Sequence, residues 1–296
     1  MPLTLTGARR RLSPVKRSLA PRVRSARQRV GEAIGGPPRA HYGTRPSKAE
    51  AKPAAQPGYT TRPPDSYLAM CAVCGRFSRF VRDGLSVRET FPCTECGASH
   101  RYRHQAEVML AHLSRQGSAN LDELAAEQEF AAKAIFEPGW LGPFRPRFSP
   151  LPGYVTSGFW PDVEPGETRD GVRCENLEAL TFDDETFDLI ITSDIFEHVR
   201  HPERGFAETF RVLRPGGLHI FSVPVRWPLA HTTRPRVDVS GPEDVLLLDA
   251  EYHYGSLVYN DFGYDLVDQL EAAGFHALLP RAINDTVTVV ARRPDA

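Results

Sequence analysis

Four of the five cysteines fall into two C-x-x-C pairs, Cys71/Cys74 and Cys93/Cys96, separated by eighteen residues. Each pair can offer two thiolates from one tight turn. Two such turns build a tetrahedral four-sulfur centre of the structural zinc type, or an iron centre of the rubredoxin type. Gly75 and Gly97 directly follow the second cysteine of each pair. Glycine there permits the positive φ that turns backbone amides toward the sulfurs. Four thiolates leave no open position, so the expected metal, Zn2+, is structural rather than catalytic. An odd cysteine count argues against a complete disulfide framework, and the two C-x-x-C pairs suggest metal binding in a reducing compartment. Cys174 reads as an ordinary buried thiol.

The chain that must position this centre has 296 residues, of which 41% are hydrophobic and 25% charged. Such a composition gives one or two globular domains. No apolar run reaches the length of a membrane-spanning helix, and the start lacks the apolar stretch of a secretory signal. A cytoplasmic protein is therefore expected. The net charge of −1 hides an asymmetry. Met1 to Pro64 carries fourteen Lys/Arg and two acids, whereas the remainder has 22 bases against 35 acids. Residues 1–66 read as a disordered basic tail, rich in Pro, Ala, Arg and Gly. Within it Leu12, Val15, Leu19, Val23, Ala26, Val30 and Ile34 recur at helical spacing. A basic amphipathic helix there could meet an anionic membrane, placing the protein at the inner face as a peripheral contact.

The cysteine module spans residues 67–104, and a body follows over 105–296. The pattern predicts a helix over Arg101–Arg115, with Ser99 as its N-cap, and a second over Leu121–Phe130. Strands are expected at Ala132–Phe136, Tyr154–Gly158, Gly171–Cys174, Phe187–Thr192 and Leu218–Val223. Pro202–Leu213 reads as the helix between the last two. A helix at Asp265–Ala273 and strands at Phe275–Leu279 and Thr286–Ala291 complete the chain, the final pair forming an antiparallel hairpin. Alternating strands and helices mean a mostly parallel α/β sheet, with ligands at the carboxyl ends of its strands.

Leu177 to Pro224 reads LEALTFDDETFDLIITSDIFEHVRHPERGFAETFRVLRPGGLHIFSVP. It resembles the second half of a class I S-adenosylmethionine-dependent methyltransferase domain of the type 11 kind. An acidic lead-in, a buried strand, Asp194-x-x-Glu197-His198, a helix and Leu-x-Pro-Gly-Gly follow one another in the family's order. Pro92 to Arg103 is similar to the zinc-knuckle preface of some bacterial methyltransferases. The resemblance covers roughly Tyr67 to the end and implies a Rossmann-like sheet and S-adenosyl-L-methionine as cofactor.

The resemblance also implies site residues. Where the family carries a Gly-rich loop after its first strand, this chain keeps only Gly139 and Gly142. Glu137 stands where an acid supports the methionine part of the cofactor. The acid that usually holds the ribose is missing after Tyr154–Gly158, with Asp162 nearest. Glu175 and Asn176 occupy the adenine-side place, and Asp194 leaves the fourth strand. Methyl transfer from a sulfonium is mainly a positioning task, and a base is needed only for a hydroxyl or protonated amine acceptor. His198, His231 and His253 are the candidates, because imidazole titrates near neutrality. The irregular stretch Pro224–Asn260 is the expected substrate lid.

Three function classes follow. The first is methyl transfer to a small-molecule or glycan-type acceptor. The second is a non-catalytic nucleic-acid-binding protein built from the tail, the zinc module and a decayed methyltransferase body. It is disfavoured because an acidic body repels phosphates, so a specific nucleic-acid partner is not expected. The third, an NAD enzyme, lacks a G-x-G-x-x-G after a strand.

Overall fold

A computed structural model describes residues 24–25, 65–83, 86, 88–139, 141–226, 228–278 and 286–295. The expected tail and its amphipathic helix lie outside the described residues. The exception is Arg24–Ser25, extended chain that pairs in parallel with Val245–Leu246.

The chain enters through a hairpin of β1 (Ser66–Met70) and β2 (Phe77–Val81), which carries the first cysteine pair in its turn. Helix α1 (His100–Leu113) follows the second pair, and α2 (Leu121–Ala126) comes next. The body is an eight-stranded sheet of β3 (Ile135–Pro138), β4 (Tyr154–Gly158), β5 (Thr168–Arg169), β6 (Val172–Cys174), β7 (Phe187–Ser193), β8 (Leu213–Pro224), β9 (His276–Leu278) and β10 (Thr286–Arg292). Helices α3 (Pro202–Val212) and α4 (Leu266–Ala272) complete it. The spatial order is β9-β10-β8-β7-β3-β4-β6-β5. β3, β4, β6, β7 and β8 run parallel to their neighbours among themselves. β10 enters antiparallel between β8 and β9, and β5 is an antiparallel edge. This is the expected Rossmann-like, mostly parallel sheet, and the antiparallel final hairpin is as expected.

Strand alternation divides the core into two faces. Ile135, Leu189, Ile191, Ile220 and Val290 share one buried cluster with Ala106, Met109 and Leu113 of α1. Phe136, Ile190, Phe221, Val223 and Val289 face Phe206 and Val212 of α3 and Leu266 and Leu270 of α4. The first face is covered by the helix that follows the cysteine module. Among the described residues between β3 and β4 only the turn Arg145–Phe148 is helical, which fits the crowding of Pro143, Pro146, Pro150 and Pro152. Helix α1 therefore runs through the expected 104/105 boundary and belongs to both parts. Its Gln105, fully buried, donates to the carbonyls of Thr192 (3.1 Å) and Ile220 (3.2 Å) and accepts from Ser193 Oγ (2.8 Å).

Three elements break or depart by more than two residues from the expected limits. The strand expected at Ala132–Phe136 begins at Ile135 instead, because Ala132 and Lys133 close the preceding helical turn onto Gln128 and Phe130. The helix over Leu121–Phe130 breaks at Glu127, an extended residue. There the Glu127 carboxylate accepts from Ser114, Arg115 and Ser118, and this pairing holds its pKa down to about 2. The strand expected at Leu218–Val223 starts at Leu213, as residues around Pro215-Gly216-Gly217 remain paired with β7 through an irregular register.

Candidate functional site

The cysteine centre is built as the spacing required. Cys71 and Cys96 sulfurs lie 3.8 Å apart, as do those of Cys74 and Cys93. All four lie within 4.8 Å of one another. Sulfurs at the corners of a tetrahedron around Zn2+ sit about 3.8 Å apart when each bond is about 2.3 Å. Gly75 and Gly97 have φ of 68° and 73° and donate to the carbonyls of Cys71 and Cys93 at 2.8 Å, closing both knuckles. A Cβ on Gly75 would stand 2.7 Å from Asn120 Nδ2, so the first knuckle also packs on the cap of α2. Burial raises the Cys74 pKa, and the neighbouring Cys71 with burial raises that of Cys96, so the thiols favour a single charge among them. The Cys96 thiol donates to Cys71 and lowers the Cys71 pKa to about 5.

Arginines stitch this module to the sheet. Arg103 donates to Tyr67 Oη (2.8 Å) and to the Phe91 carbonyl (3.0 Å), with its guanidinium 3.9 Å from the Phe80 ring centre. Arg101, 6% exposed, bonds Glu89 at 2.7 Å and reaches Asp194 Oδ2 at 3.2 Å. Arg88 also pairs with Asp194. Asp194 adopts φ of 54° as the chain leaves β7, and its Oδ1 accepts from Ser222 Oγ at 2.8 Å. One terminal nitrogen of Arg101, Nη1, is buried without a hydrogen-bond partner among the described residues.

Glu137 lies at the carboxyl end of β3 and is buried. Burial pushes its pKa up to about 7, against the opposing pull of the Tyr154 hydroxyl, which donates to Oε2 at 2.7 Å. Gly139 follows with φ of 92°, and a Cβ there would lie 3.6 Å from Ile195 Cδ1. Gly142 lies against Tyr102 of α1, whose hydroxyl would meet its Cβ at 3.4 Å. Thr156 Oγ1 donates to the carbonyls of both Glu137 and Gly139 at 2.9 Å and fixes the exit. Glu137, Gly139, Asp194 and α1 thus meet at one end of the sheet. Glu175 and Asn176 follow β6, and their side chains are taken up locally. Glu175 holds Arg173 Nε and the Thr181 amide and hydroxyl. Asn176 Oδ1 accepts from the Glu178 amide. Asp162 is exposed and paired with Arg169.

Of the three histidines, the structure brings two together. His198 and His253 stand edge to face, with ring centres 5.2 Å apart, on either side of the fully buried Glu197 carboxylate. The Glu197 carboxylate, 3.5 Å from His253 Nδ1, raises the pKa of that imidazole, with Glu251 adding to the effect. His231 is exposed beside Tyr264, with ring centres 6.1 Å apart, and is not part of this cluster.

Residues 163–221 match the family model described as Methyltransferase domain. This methyltransferase segment holds β5, β6, β7, α3 and most of β8, with Glu175, Asn176, Asp194, Glu197 and His198. Over 59 residues the chain is 39% identical to a Ubiquinone biosynthesis O-methyltransferase of Parvibaculum lavamentivorans, covering 20% of this chain and 23% of that protein. Over 56 residues the chain is 39% identical to the mitochondrial 2-methoxy-6-polyprenyl-1,4-benzoquinol methylase of Caenorhabditis elegans, covering 19% of each. The match thus spans less than a quarter of these relatives. A 1,6-didemethyltoxoflavin-N1-methyltransferase of Burkholderia thailandensis, solved with bound 1,6-didemethyltoxoflavin and S-adenosylhomocysteine, aligns over 65% of this chain and 84% of its own. Its TM-score is 0.38, at 18% identity.

The methyltransferase segment excludes Glu137, Gly139, Gly142, His231 and His253, which the fold adds from either side. Sequence reasoning missed Arg88 and Arg101 at Asp194. The available signal was Arg101 and Arg103 at the start of a helix whose register buries both. It also missed Glu197 as the buried centre between two histidines.

Proposed function

We propose that the protein transfers a methyl group from S-adenosylmethionine to a small-molecule or glycan-type acceptor. One observation carries this reading. A class I sheet with its antiparallel β10 gathers Glu137, Gly139 and Asp194 at the carboxyl end, where such sheets bind ligands. The residues fit the cofactor. Gly139 leaves its backbone open, Glu137 offers a carboxyl to an ammonium group, and the unpartnered Arg101 Nη1 offers a donor to a carboxylate. The cofactor supplies an already activated methyl on sulfur. The protein's part is to align the acceptor and keep water away, which needs no strong base unless the acceptor is a hydroxyl. Both curated relatives are named for quinone-type methylation, which supports a hydroxyl-bearing small molecule.

Within this reading the four-cysteine centre holds a structural Zn2+ that locks α1 onto the sheet, and the basic tail sets location at an anionic surface. Calorimetric titration of the full chain with S-adenosylhomocysteine tests the core of the proposal. Saturable binding that Gly139→Val abolishes is expected. Absence of binding, or equal affinity in that variant, would refute it.

A further inference from the structure

Glu197 poses a problem that methyl transfer does not answer. Its side chain is fully buried, and neither carboxylate oxygen has a hydrogen-bond partner among the described residues. An unpaired buried carboxylate is costly, so a cation or proton belongs beside it. Two imidazole nitrogens face Oε1, His253 Nδ1 at 3.5 Å and His198 Nε2 at 3.7 Å. Both distances exceed those of good hydrogen bonds. They approach the separation of two ligands on one small ion, about 3.4 Å for tetrahedral bonds of about 2.1 Å.

The tautomer of His198 sharpens the point. Its Nδ1 lies 2.9 Å from the Leu257 carbonyl, which can only accept, so Nδ1 carries the proton. In the neutral ring Nε2 then presents a lone pair toward the carboxylate. Two electron-rich atoms facing each other call for a positive charge between them. A backbone carbonyl that fixes the far nitrogen of a ligand histidine is the usual outer support of such a site.

One hairpin builds both halves. Tyr252–His253 pairs antiparallel with Ser256–Leu257, and Tyr254 and Gly255 at its tip have φ of 49° and 90°. Positive φ at both central residues is the geometry that closes two-residue hairpins. The hairpin delivers the His253 ring and the Leu257 carbonyl together to the Phe196–His198 turn. Glu251 then takes His253 Nε2 at 3.3 Å, while Arg226 and Arg236 hold Glu251. Oxygen, nitrogen and nitrogen from two separate elements thus converge, and both histidine rings retain partial exposure.

We propose that Glu197, His198 and His253 form a second metal site, for a divalent transition metal of the zinc class. Three protein ligands leave an open position for an oxygen ligand. The donor set of two imidazoles and one carboxylate differs from the four thiolates of the cysteine centre, so the two sites can be read separately. The proposal stands whether or not the protein transfers methyl groups.

The test uses the full chain with its cysteine centre metal-loaded and excess metal removed, titrated with Zn2+ by calorimetry. Wild type should take up one further equivalent. His253→Ala and Glu197→Gln should each weaken that step at least about tenfold. Metal analysis should show the cysteine-bound equivalent retained in both, which also certifies folding. His253→Ala at a partly exposed ring keeps the test sound if Glu197→Gln fails to fold. No further equivalent in wild type, or uptake unchanged in His253→Ala, would overturn the site. It would leave His253 as a protonated bridge between Glu197 and Glu251.

Discussion

Glu137 makes folding stability depend on pH in an unusual direction. Its folded pKa is raised from 4.5 to about 7 by burial. The folded chain therefore holds a proton that the unfolded chain has released between those two values. Where the folded state binds more protons, stability falls as pH rises. The contribution is intact below about 4.5 and fully lost above about 7, opposite to an ordinary salt-bridged carboxylate. A displacement of about two and a half pH units at 1.36 kcal/mol each is worth about 3 kcal/mol. Glu137→Gln keeps an oxygen for the Tyr154 hydroxyl and removes the titration. Urea unfolding of wild type and variant, followed by intrinsic fluorescence from pH 4.5 to 8, isolates the effect, because other groups cancel in the difference. The two should be nearly equal at pH 4.5, with the variant more stable by about 3 kcal/mol at pH 8. A difference that stays flat across that range would show that Glu137 is solvated or paired with a cation.

Three further outcomes are expected. Cys93→Ser should lose the cysteine-bound metal and loosen the β1–β2 module, read by native mass spectrometry and proteolysis, because metal binding is coupled to folding. Gln105→Ala should cost about 2–4 kcal/mol in chemical denaturation, since it removes a buried side chain and leaves the Thr192 and Ile220 carbonyls short of a donor. A chain beginning at Asp65 should keep S-adenosylhomocysteine affinity and lose co-sedimentation with anionic vesicles at low salt. If the shortened chain still pellets, the tail does not set location.

The sequence by itself determined the sheet. Phe187 to Thr192 can hardly be anything but a buried central strand, since Leu189, Ile190 and Ile191 run without a polar break and both faces must be covered. The C-x-x-C-Gly pairs determined their knuckles for a similarly local reason, because ligand geometry and positive φ are settled within five residues. Asp194-x-x-Glu197-His198 and Leu-x-Pro-Gly-Gly placed the methyltransferase segment without any contact in view.

What covers the first face of that sheet was a tertiary decision. Local pattern marked α1 as amphipathic, yet it could not show that Arg101 reaches Asp194 or that Gln105 caps carbonyls of β7 and β8. Those partners lie about 90 residues or more away, and such pairings leave no spacing in the chain. The same holds for the histidines. His198, His231 and His253 are equivalent as residue types. Only the hairpin at 252–257 brings His253 to Glu197, whereas His231 stays at the surface. Glu175 and Asn176 looked available in sequence, but Arg173, Thr181 and Glu178 engage them in the fold. A polar side chain's role depends on which donors and acceptors packing brings within reach. Sequence proximity supplies those only over a turn or two, and tertiary structure supplies the rest.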